Sequence, residues 1–347
     1  MKKILMGLSG GVDSAVAAWL LKEKGYEVVA GFMKNYVDED NPSCSTYQDA
    51  KEAIKVAEFL GLEIMSFDLR DEYEEKIVKY IYEGYKNGIT PNPDILCNSL
   101  IKFDVFLDKA IELGFDGIAM GHYARIDKKD DGNHRLLRGI DYNKDQSYFL
   151  SGLNQYQLSK ALFPIGGMKK SEVRNLAKKI GLPNADRKDS QGLCFIGKVP
   201  MKEFLKKRLP IKKGDIVLVD GTKVGEHEGA YFFTIGQSRG LDINKKAYVV
   251  NIDVEKNLVI VSYDKNEPEL SSKEISVKNW HWIGKEYELP LKCKSKIRYR
   301  QEPQNAELRI ENGKLKFICK EKQWGIAPGQ SVVAYVGDEC VGGGIIV

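Results

Sequence analysis

The sequence predicts an α/β domain with a doubly wound parallel sheet, followed by two small, mostly β domains of which the last is barrel-like. Over the first half of the chain, short apolar runs alternate with helix-length stretches that carry apolar residues at helical spacing. This alternation is typical of β-α-β units and a parallel sheet. From about residue 198, short β-type runs separated by glycine turns take over, as in small sheets and barrels. The length of 347 residues allows two or three domains of roughly 100–200 residues each.

The elements of the first domain follow from these patterns. Strands are predicted at residues 4–8, 27–33, 62–67 and 115–121, and helices at residues 49–60, 71–85 and 98–113. Parallel sheets of this kind bind ligands at the carboxyl ends of their strands. Met33 and Gly121 fall at such ends. We therefore predict that they form walls of an adenine or ribose pocket, although core residues at strand ends would give the same pattern.

The second half of the chain predicts two β-rich units. Its β-type runs occupy residues 215–219, 231–235, 248–252, 258–263 and 275–283, with a break near residues 267–272. The predicted domains are therefore residues 1–197, 198–270 and 271–347. A segment rich in Lys and Arg at residues 198–213 predicts a basic helix at the start of the central domain.

The composition excludes several classes of protein. With 43% apolar residues, 29% charged residues and a formal net charge of +4, the chain is an ordinary globular protein whose overall charge is too small to indicate nucleic acid. No apolar run approaches the ~20 residues of a membrane span, and Ser9 ends the N-terminal apolar run too early for a signal peptide. Six cysteines without a C-x-x-C pair fit neither a disulfide scaffold nor a zinc site. We predict a cytoplasmic protein without a membrane partner.

The most informative motif is Ser-Gly-Gly-Val-Asp-Ser at residues 9–14, between a predicted strand and a predicted helix. Glycines let a backbone turn sharply, and the N–H groups at a helix start attract phosphate. The motif is neither a Walker A loop nor a dinucleotide fingerprint, and an ordinary tight turn is the alternative. Asp13 and Ser14 could cap the helix or help to hold a metal ion bound to phosphate. The predicted phosphate-binding residues are Gly7, Leu8, Ser9, Gly10, Gly11, Val12, Asp13 and Ser14.

Two cysteines lie in polar segments that favour reactivity. Cys97 follows the proline-containing loop at residues 90–94 and leads into a predicted helix, and Cys194 lies in a glycine-containing polar segment at residues 188–195. Helix starts and neighbouring lysines favour the thiolate, whereas the alternative for any cysteine is a small buried side chain. Cys293, Cys319 and Cys340 lie in strand patterns and are predicted to be buried, and Cys44 is left unassigned.

One predicted strand carries a cation at every second position. Period-two spacing places all of these cations on one face of a strand. Like charges on one face repel each other, so the row either binds a polyanion such as RNA or forms a solvated face. Tyr299 would lie on the opposite face unless a bulge turns it. The cations are Lys292, Lys294, Lys296, Arg298 and Arg300.

These motifs resemble known families. The Ser-Gly-Gly-x-Asp-Ser motif is similar to the pyrophosphate loop of the ATP-pyrophosphatase (PP-loop) family, whose members split ATP into AMP and pyrophosphate. A series of blocks along the whole chain resembles the bacterial tRNA-specific 2-thiouridylases. In order, they are GLSGGVDS, FMKNY, TPNPDILCN, GHYAR, NKDQSYFL, KDSQGLCFIG, IRYRQ, APGQS and ECVGGGII. Residues 238–248 depart from that family, which usually has a glycine-rich stretch and Pro-Trp there.

The resemblance implies an activity and its chemistry. It implies ATP-dependent 2-thiolation of a tRNA uridine at wobble position 34, with ATP and Mg²⁺, in which the C2 oxygen is adenylated before sulfur replaces it. Cys194 would carry a persulfide, Cys97 would be the nucleophile, and Asp94 would act as an acid/base or base-positioning group. Residues 1–197 would be the catalytic domain and residues 271–347 would contact RNA. The implied partners are tRNA and a persulfide-carrying sulfur-relay protein or a cysteine desulfurase.

The sequence leaves two alternative functions open. Two further functions fit parts of the sequence: a PP-loop ligase that adenylates a small molecule, and a non-catalytic RNA-binding protein with a regulatory ATP site. Neither needs two reactive cysteines.

The resemblance also implies a set of tRNA-binding residues. Taken on their own, residues 144–146 could instead be a simple turn, and His122 could be a histidine at a strand end. The implied tRNA contacts are Asn92, Pro93, Asp94, His122, Lys144, Asp145, Gln146, Arg298, Tyr299 and Gln330.

Overall fold

The computed structural model describes residues 1–38, 45–188 and 199–347. The strands in this part of the chain are β1 Lys3–Gly7, β2 Glu27–Lys34, β3 Ile64–Asp68, β4 Gly117–Ala119, β5 Ala124–Lys128, β6 His134–Arg138, β7 Ala161–Leu162, β8 Gly214–Leu218, β9 Lys223–His227, β10 Tyr248–Asp253, β11 Leu258–Ser262, β12 Ser271–Trp282, β13 Leu291–Lys296, β14 Gln304–Glu311, β15 Lys314–Trp324, β16 Ser331–Val336 and β17 Glu339–Ile346.

The α-helices are α1 Val12–Glu23, α2 Ser45–Leu60, α3 Arg70–Tyr73, α4 Lys79–Lys86, α5 Pro93–Leu96, α6 Phe106–Glu112, α7 Gln155–Ser159, α8 Lys170–Ile180 and α9 Met201–Lys206. Two π-helical segments, Glu74–Val78 and Cys97–Val105, make α3–α4 and α5–α6 into continuous helical stretches. Short 3₁₀ turns occupy Ser147–Leu150, Ala230–Phe232 and Pro268–Leu270.

The first domain contains the predicted doubly wound parallel sheet. Its strand order is β3-β2-β1-β4-β7, and every pair is parallel. Buried residues pack against the sheet in two separate clusters, as expected for strands that are covered on both faces and read as continuous apolar runs. The chain builds outward from β1 first to β2 and β3, then to β4 and β7. The order therefore reverses beside β1, and such a reversal is where doubly wound sheets bind ligands.

The C-terminal domain is a closed barrel, which confirms the barrel-like prediction. Six antiparallel strands run in the order β12-β15-β14-β13-β16-β17, and pairing between β12 and β17 closes the ring. The β5–β6 hairpin extends this sheet, because Leu136 and Leu137 pair with Cys340 and Glu339 of β17. By chain order this hairpin belongs to the first domain. One sheet thus spans both domains.

The central domain forms a four-stranded sheet in the order β10-β11-β8-β9. The strand predicted at residues 231–235 is wrong, because the 3₁₀ turn Ala230–Phe232 occupies its first residues instead. Consecutive Phe232 and Phe233 are both buried, whereas a half-buried strand buries alternate residues. The predicted basic helix is short, and cations at its end pair with acids: Lys207 with Asp38, and Arg208 with Glu74.

In the described residues, no helix combines the length and the apolar character that crossing a membrane requires.

Candidate active site

The glycine loop connects β1 to α1, and no side chain of the described residues caps the start of α1, which we therefore call open. Gly10 adopts a φ of 75°, which glycine tolerates without strain. Gly11 is the N-cap residue and has no side chain with which to satisfy the first N–H groups of the helix. Ser14 Oγ donates to the carbonyl of Gly11 at 3.0 Å, so Ser14 stabilises the loop rather than capping the helix as one alternative predicted. Free N–H groups at a helix start are suited to phosphate.

Two side chains from beyond α8 hold the loop in place. Asn184 Nδ2 donates to the carbonyl of Gly10 at 2.8 Å, and Arg187 Nη1 donates to the same oxygen at 3.0 Å. Arg187 also pairs with Asp49 of α2. Sequence reasoning missed these residues because nothing in the segment after α8 indicates that it returns to a loop so distant in sequence.

The negative charge of the Asp13 carboxylate is balanced by a neighbouring cation. Lys170 Nζ lies 2.7 and 2.8 Å from its two carboxylate oxygens, and the Tyr123 hydroxyl donates to one of them at 2.8 Å. Among the described residues, no group of three or more His, Cys, Asp and Glu side chains could hold a metal ion. Nucleotide-bound Mg²⁺ needs only one or two protein carboxylates, because phosphates and water complete its shell. Asp13 fits that limited role if it shares its oxygens with Lys170.

The predicted pocket walls lie beside the loop. A Cβ added at Gly121 would lie 2.8 Å from the Ser14 nitrogen, so the end of β4 touches the first turn of α1. A Cβ added at Gly7 would lie 3.4 Å from Met33 Cε and 2.4 Å from Met120 Sδ. The structure therefore brings Gly7, Met33 and Gly121 together around the point where the strand order reverses. Their role in binding nucleotide stays a prediction.

Two buried polar side chains near the strand ends have atoms that the described residues leave unsatisfied. Within residues 1–38, 45–188 and 199–347, both amide atoms of Asn35, which follows β2, and Nδ1 of His122, which follows β4, are buried without a hydrogen-bond partner. Burial, with the nearby Lys102, holds the pKa of His122 well below its usual value of 6.5, so the imidazole is neutral at pH 7. The ring packs against Phe103 and Phe163, with ring centroids 6.0 and 5.7 Å away. Only 8% of His122 is exposed, so this predicted tRNA contact is largely covered.

The predicted nucleophile lies on a helix that begins at a proline. Pro93 is the first residue of α5, a position that suits proline, and the helix continues unbroken through Cys97. Asp94 and Cys97 are three residues apart on this helix and so share a face. Asp94 is half-buried, whereas Cys97 is fully buried at 0% exposure. The helix starts earlier than the predicted residue 98.

Tyr148 joins this loop to the barrel. Its hydroxyl donates to the carbonyl of Ser331 at 2.9 Å and accepts from Asn92 Nδ2 at 3.3 Å. Burial raises the pKa of Tyr148 far above its usual value, so the hydroxyl stays protonated and can donate. Gln330 makes a parallel connection, because its Nε2 donates to the carbonyls of Thr90 and Pro91 at 3.0 and 3.2 Å.

The predicted tRNA contacts at residues 144–146 mostly face inward. The buried Asp145 carboxylate pairs with Arg138 Nε at 3.0 Å and accepts from backbone N–H groups at Gly139 and Ser147. Gln146 Oε1 accepts from the N–H of Tyr123. These residues hold the local fold in this conformation, and their tRNA roles stay predictions.

The predicted row of five cations on one strand face is wrong. Strand β13 ends at Lys296, so Arg298 and Arg300 lie in the turn that follows. Lys292 and Lys294 are exposed, but Lys296 is only 3% exposed, with the Tyr148 and Tyr299 rings 5.9 and 5.8 Å away. The first domain covers the barrel there, which the spacing of one strand could not reveal. Burial lowers the pKa of Lys296.

The remaining two predicted tRNA contacts, Arg298 and Tyr299, lie in the turn after β13. Arg298 Nη2 donates to the carbonyl of Gly325 at 2.6 Å, and its guanidinium lies over Trp324. The Tyr299 ring packs on Phe149 with centroids 4.4 Å apart. A turn, rather than the predicted bulge or opposite strand face, therefore sets the direction of Tyr299.

Comparison with known sequences places the chain in a family. The family models described as the tRNA methyl transferase HUP domain, the tRNA methyl transferase PRC-barrel domain and the aminomethyltransferase beta-barrel domain match residues 2–198, 202–263 and 272–346. The tRNA-specific 2-thiouridylase MnmA of Chromobacterium violaceum is 45% identical over 99% of this chain and 92% of its own length. That of Alkaliphilus oremlandii is 44% identical over 99% and 96%. This chain belongs to the tRNA-specific 2-thiouridylase family.

Of the described cysteines, Cys97 lies in the first domain and the other three lie in the barrel. As predicted, Cys293, Cys319 and Cys340 are buried, and burial raises the pKa of each thiol, to about 12 for Cys293. Such thiols are inert at neutral pH. The second cysteine to which the 2-thiouridylase resemblance assigns sulfur chemistry, Cys194, and the unassigned Cys44 lie outside the described residues.

Proposed function

We propose that this protein is a tRNA-uridine 2-sulfurtransferase that uses ATP to replace the C2 oxygen of a uridine with sulfur. The observation that carries the proposal is that the start of α1 and the helical segment that begins at Cys97 both approach the residues after β4. A Cβ added at Gly121 would lie 2.8 Å from the Ser14 nitrogen. The ring of the next residue, His122, lies 6.0 Å from that of Phe103 in the segment Cys97–Val105. The candidate phosphate-binding loop and the helix that carries the thiol therefore approach the same end of the sheet.

The chemistry of uracil determines what the residues of the site must do. Its C2 oxygen is amide-like and leaves only after activation, so ATP transfers AMP to it and releases pyrophosphate. The loop at residues 9–14 would hold the phosphates through backbone N–H groups, and Lys170 would add a positive charge. We propose that Mg²⁺ accompanies ATP, with Asp13 as its protein carboxylate; the ion would neutralise phosphate charge.

Sulfur transfer needs two thiols in this proposal. Cys194 carries the persulfide, and the Cys97 thiolate attacks its inner sulfur, forming a Cys97–Cys194 disulfide and releasing the outer sulfur as hydrosulfide. The sulfur bonds to C2 as AMP departs with the oxygen. A thiol reductant then supplies two electrons to restore both cysteines. Asp94, one turn from Cys97, would move a proton or position the base, with Asn92 and Pro93 beside it.

The proposed partners are tRNA, with wobble position 34 as the target, and a persulfide-carrying sulfur-relay protein or cysteine desulfurase that loads Cys194. The exposed cations Lys292 and Lys294 and the turn with Arg298 and Tyr299 offer a surface for the tRNA. The small-molecule ligase alternative is not retained, since the relatives cited above carry the name tRNA-specific 2-thiouridylase.

Mass spectrometry of tRNA nucleosides tests this function. Unmodified tRNA is incubated with protein, ATP, Mg²⁺ and a sulfide or persulfide source, and 2-thiouridine and AMP are quantified. We expect both products from the native protein, and loss of 2-thiouridine in Cys97→Ser and Cys194→Ser. Cys319→Ser, a buried barrel cysteine, is the matched control and should keep activity. Thiolation that persists in both test variants would overturn the two-thiol chemistry, and absence of 2-thiouridine with the native protein would overturn the function.

A further inference from the structure

A turn of the barrel holds the segment that leads to Cys97. Gln330 Nε2 donates to the carbonyls of Thr90 and Pro91, and the N–H of Thr90 donates to the carbonyl of Pro328 at 2.9 Å. We call this contact between residues 327–330 and residues 90–91 the barrel clamp. It satisfies backbone groups on the held segment that would otherwise be buried without partners, which is costly.

At the barrel clamp, residues 89 and 90 lie so close to the backbone of Gly329 that a side chain there would clash. Gly329 has a φ of 89°, and a Cβ added there would lie 2.1 Å from Ile89 Cγ2 and 2.9 Å from the carbonyl oxygen of Thr90. Only a residue without a side chain fits this geometry. The barrel turn is therefore shaped to the held segment rather than merely near it.

Further contacts fix the same segment from other sides. Thr90 Oγ1 donates to Thr234 Oγ1 of the central domain at 3.0 Å. The Tyr148 hydroxyl bridges Asn92 and Ser331, as described above. Residues 90–92 thus contact all three matched parts of the chain within three residues.

The held segment is covalently close to the thiol. Asn92 is the N-cap of α5, and the helix continues without a break from Pro93 into the π-helical segment that Cys97 begins. A helix moves as a rigid rod over such a short distance, so the position of residues 90–92 sets the position of Cys97. That thiol is 0% exposed, so it can be reached only when this region moves.

We propose that Gln330 is a positioning residue: through the barrel clamp it fixes the helix start and thereby determines how far the Cys97 thiol is covered. The inference deepens the proposed function, in which Cys97 is the nucleophile. It differs from the tRNA contact that the resemblance implies for Gln330, because both hydrogens of its amide group are directed at the protein's own backbone.

Alkylation of Cys97 in the free protein tests the proposal without tRNA or ATP. The rate of iodoacetamide labelling at the Cys97 peptide is followed by mass spectrometry in the native protein, Gln330→Ala and the control Gln304→Ala. Gln304 is a barrel glutamine whose Nε2 donates to the carbonyl of Glu302, two residues away. Loss of two hydrogen bonds from the clamp should speed labelling roughly tenfold, while the control matches the native rate. An unchanged rate in Gln330→Ala would overturn the proposal.

Steady-state kinetics provide the second readout. Gln330→Ala should lower kcat for thiolation with little change in the KM for tRNA, because the thiol is misplaced while the tRNA surface is intact. A raised KM with native kcat would identify Gln330 as a tRNA contact and overturn the proposal. If Gln330→Ala fails to fold, Thr234→Val removes the side-chain contact to Thr90 and should also speed labelling. Because labelling needs no substrate, a protein without thiolation activity would still report on the clamp.

Discussion

The backbone of Gly121 lies directly against the first turn of α1, so that a Cβ at Gly121 would fall 2.8 Å from the amide nitrogen of Ser14 and 2.9 Å from the carbonyl carbon of Asp13. Real Cβ atoms do not approach backbone atoms so closely. Both neighbours belong to the backbone of the helix start and cannot rotate away as a side chain can. The backbone that follows β4 therefore fixes the position of the first turn of α1.

Gly121→Ala should displace the start of α1. Overpacking of this kind costs about 1–3 kcal/mol of unfolding free energy, measurable by urea denaturation, and the affinity for ATP should fall in a binding titration. Gly167→Ala is the matched control, because a Cβ there meets no described atom within 4 Å. Native ATP affinity in Gly121→Ala would show that the contact does not position the loop.

Tyr148→Phe should destabilise the joint between the first domain and the barrel. The substitution leaves the Ser331 carbonyl and the Asn92 amide without their partner in a buried site, which costs about 1–3 kcal/mol. Urea denaturation measures the change. Tyr142→Phe serves for comparison, since Tyr142 is exposed and should alter stability little. Equal effects of the two substitutions would argue against a structural role for the Tyr148 hydroxyl.

His122 should make the protein less stable in mild acid. Burial holds the pKa of His122 below 6.5 in the native state, so below about pH 6.5 the unfolded chain binds a proton that the native site excludes. The free energy of unfolding should then fall with decreasing pH, by at most about 1.4 kcal/mol per pH unit from this group. Above pH 6.5 its contribution is constant. His122→Gln should flatten the slope between about pH 6.5 and 5.

The His122 ring can also be observed directly. Its imidazole C–H resonance should not titrate between about pH 8 and pH 6, because the native ring stays neutral there. A titration midpoint near the ordinary value of 6.5 would contradict the predicted neutral ring.

Only the exposed part of the predicted cation row should contribute to the salt dependence of tRNA binding. Replacing both Lys292 and Lys294 by Ala should reduce the slope of log affinity against log salt by roughly one to two, given about 0.7–0.9 per phosphate contact. Lys2→Ala with Lys24→Ala is a charge-matched control at the amino-terminal edge of the sheet, far from the loop. An unchanged slope in the Lys292/Lys294 variant would remove this strand from the tRNA surface.

Much of the fold was predictable because its signals are local. The glycine loop, the alternation of strands and helices, and the buried barrel cysteines all follow from residue type and spacing within short windows. The failed prediction of the cation row has a cause outside the strand itself. Lys296 is buried because the first domain covers the barrel there, and β13 stops short of Arg298 because a turn closed by the hydrogen bond from Gln301 N–H to the Arg298 carbonyl follows it. The spacing of residues within one strand reports neither feature.

In the candidate site, too, residues in local motifs were predictable, whereas residues that act through distant contacts were not. Ser9, Gly10 and Cys97 stand in recognisable motifs, so sequence reasoning found them. Asn184 and Arg187 hold the carbonyl of Gly10, and Pro328 accepts from Thr90, through contacts between residues far apart in sequence. These positioning groups carry no local signature, and only the folded chain reveals them.

The pairing of β6 with β17 has a consequence for biosynthesis. Leu136 and Leu137 are synthesised long before their partners Cys340 and Glu339. Until β17 has left the ribosome, the hairpin keeps an open edge able to bind another nascent chain. Folding of this enzyme should therefore finish only after β17 has been made, and a chain truncated before β17 should be aggregation-prone.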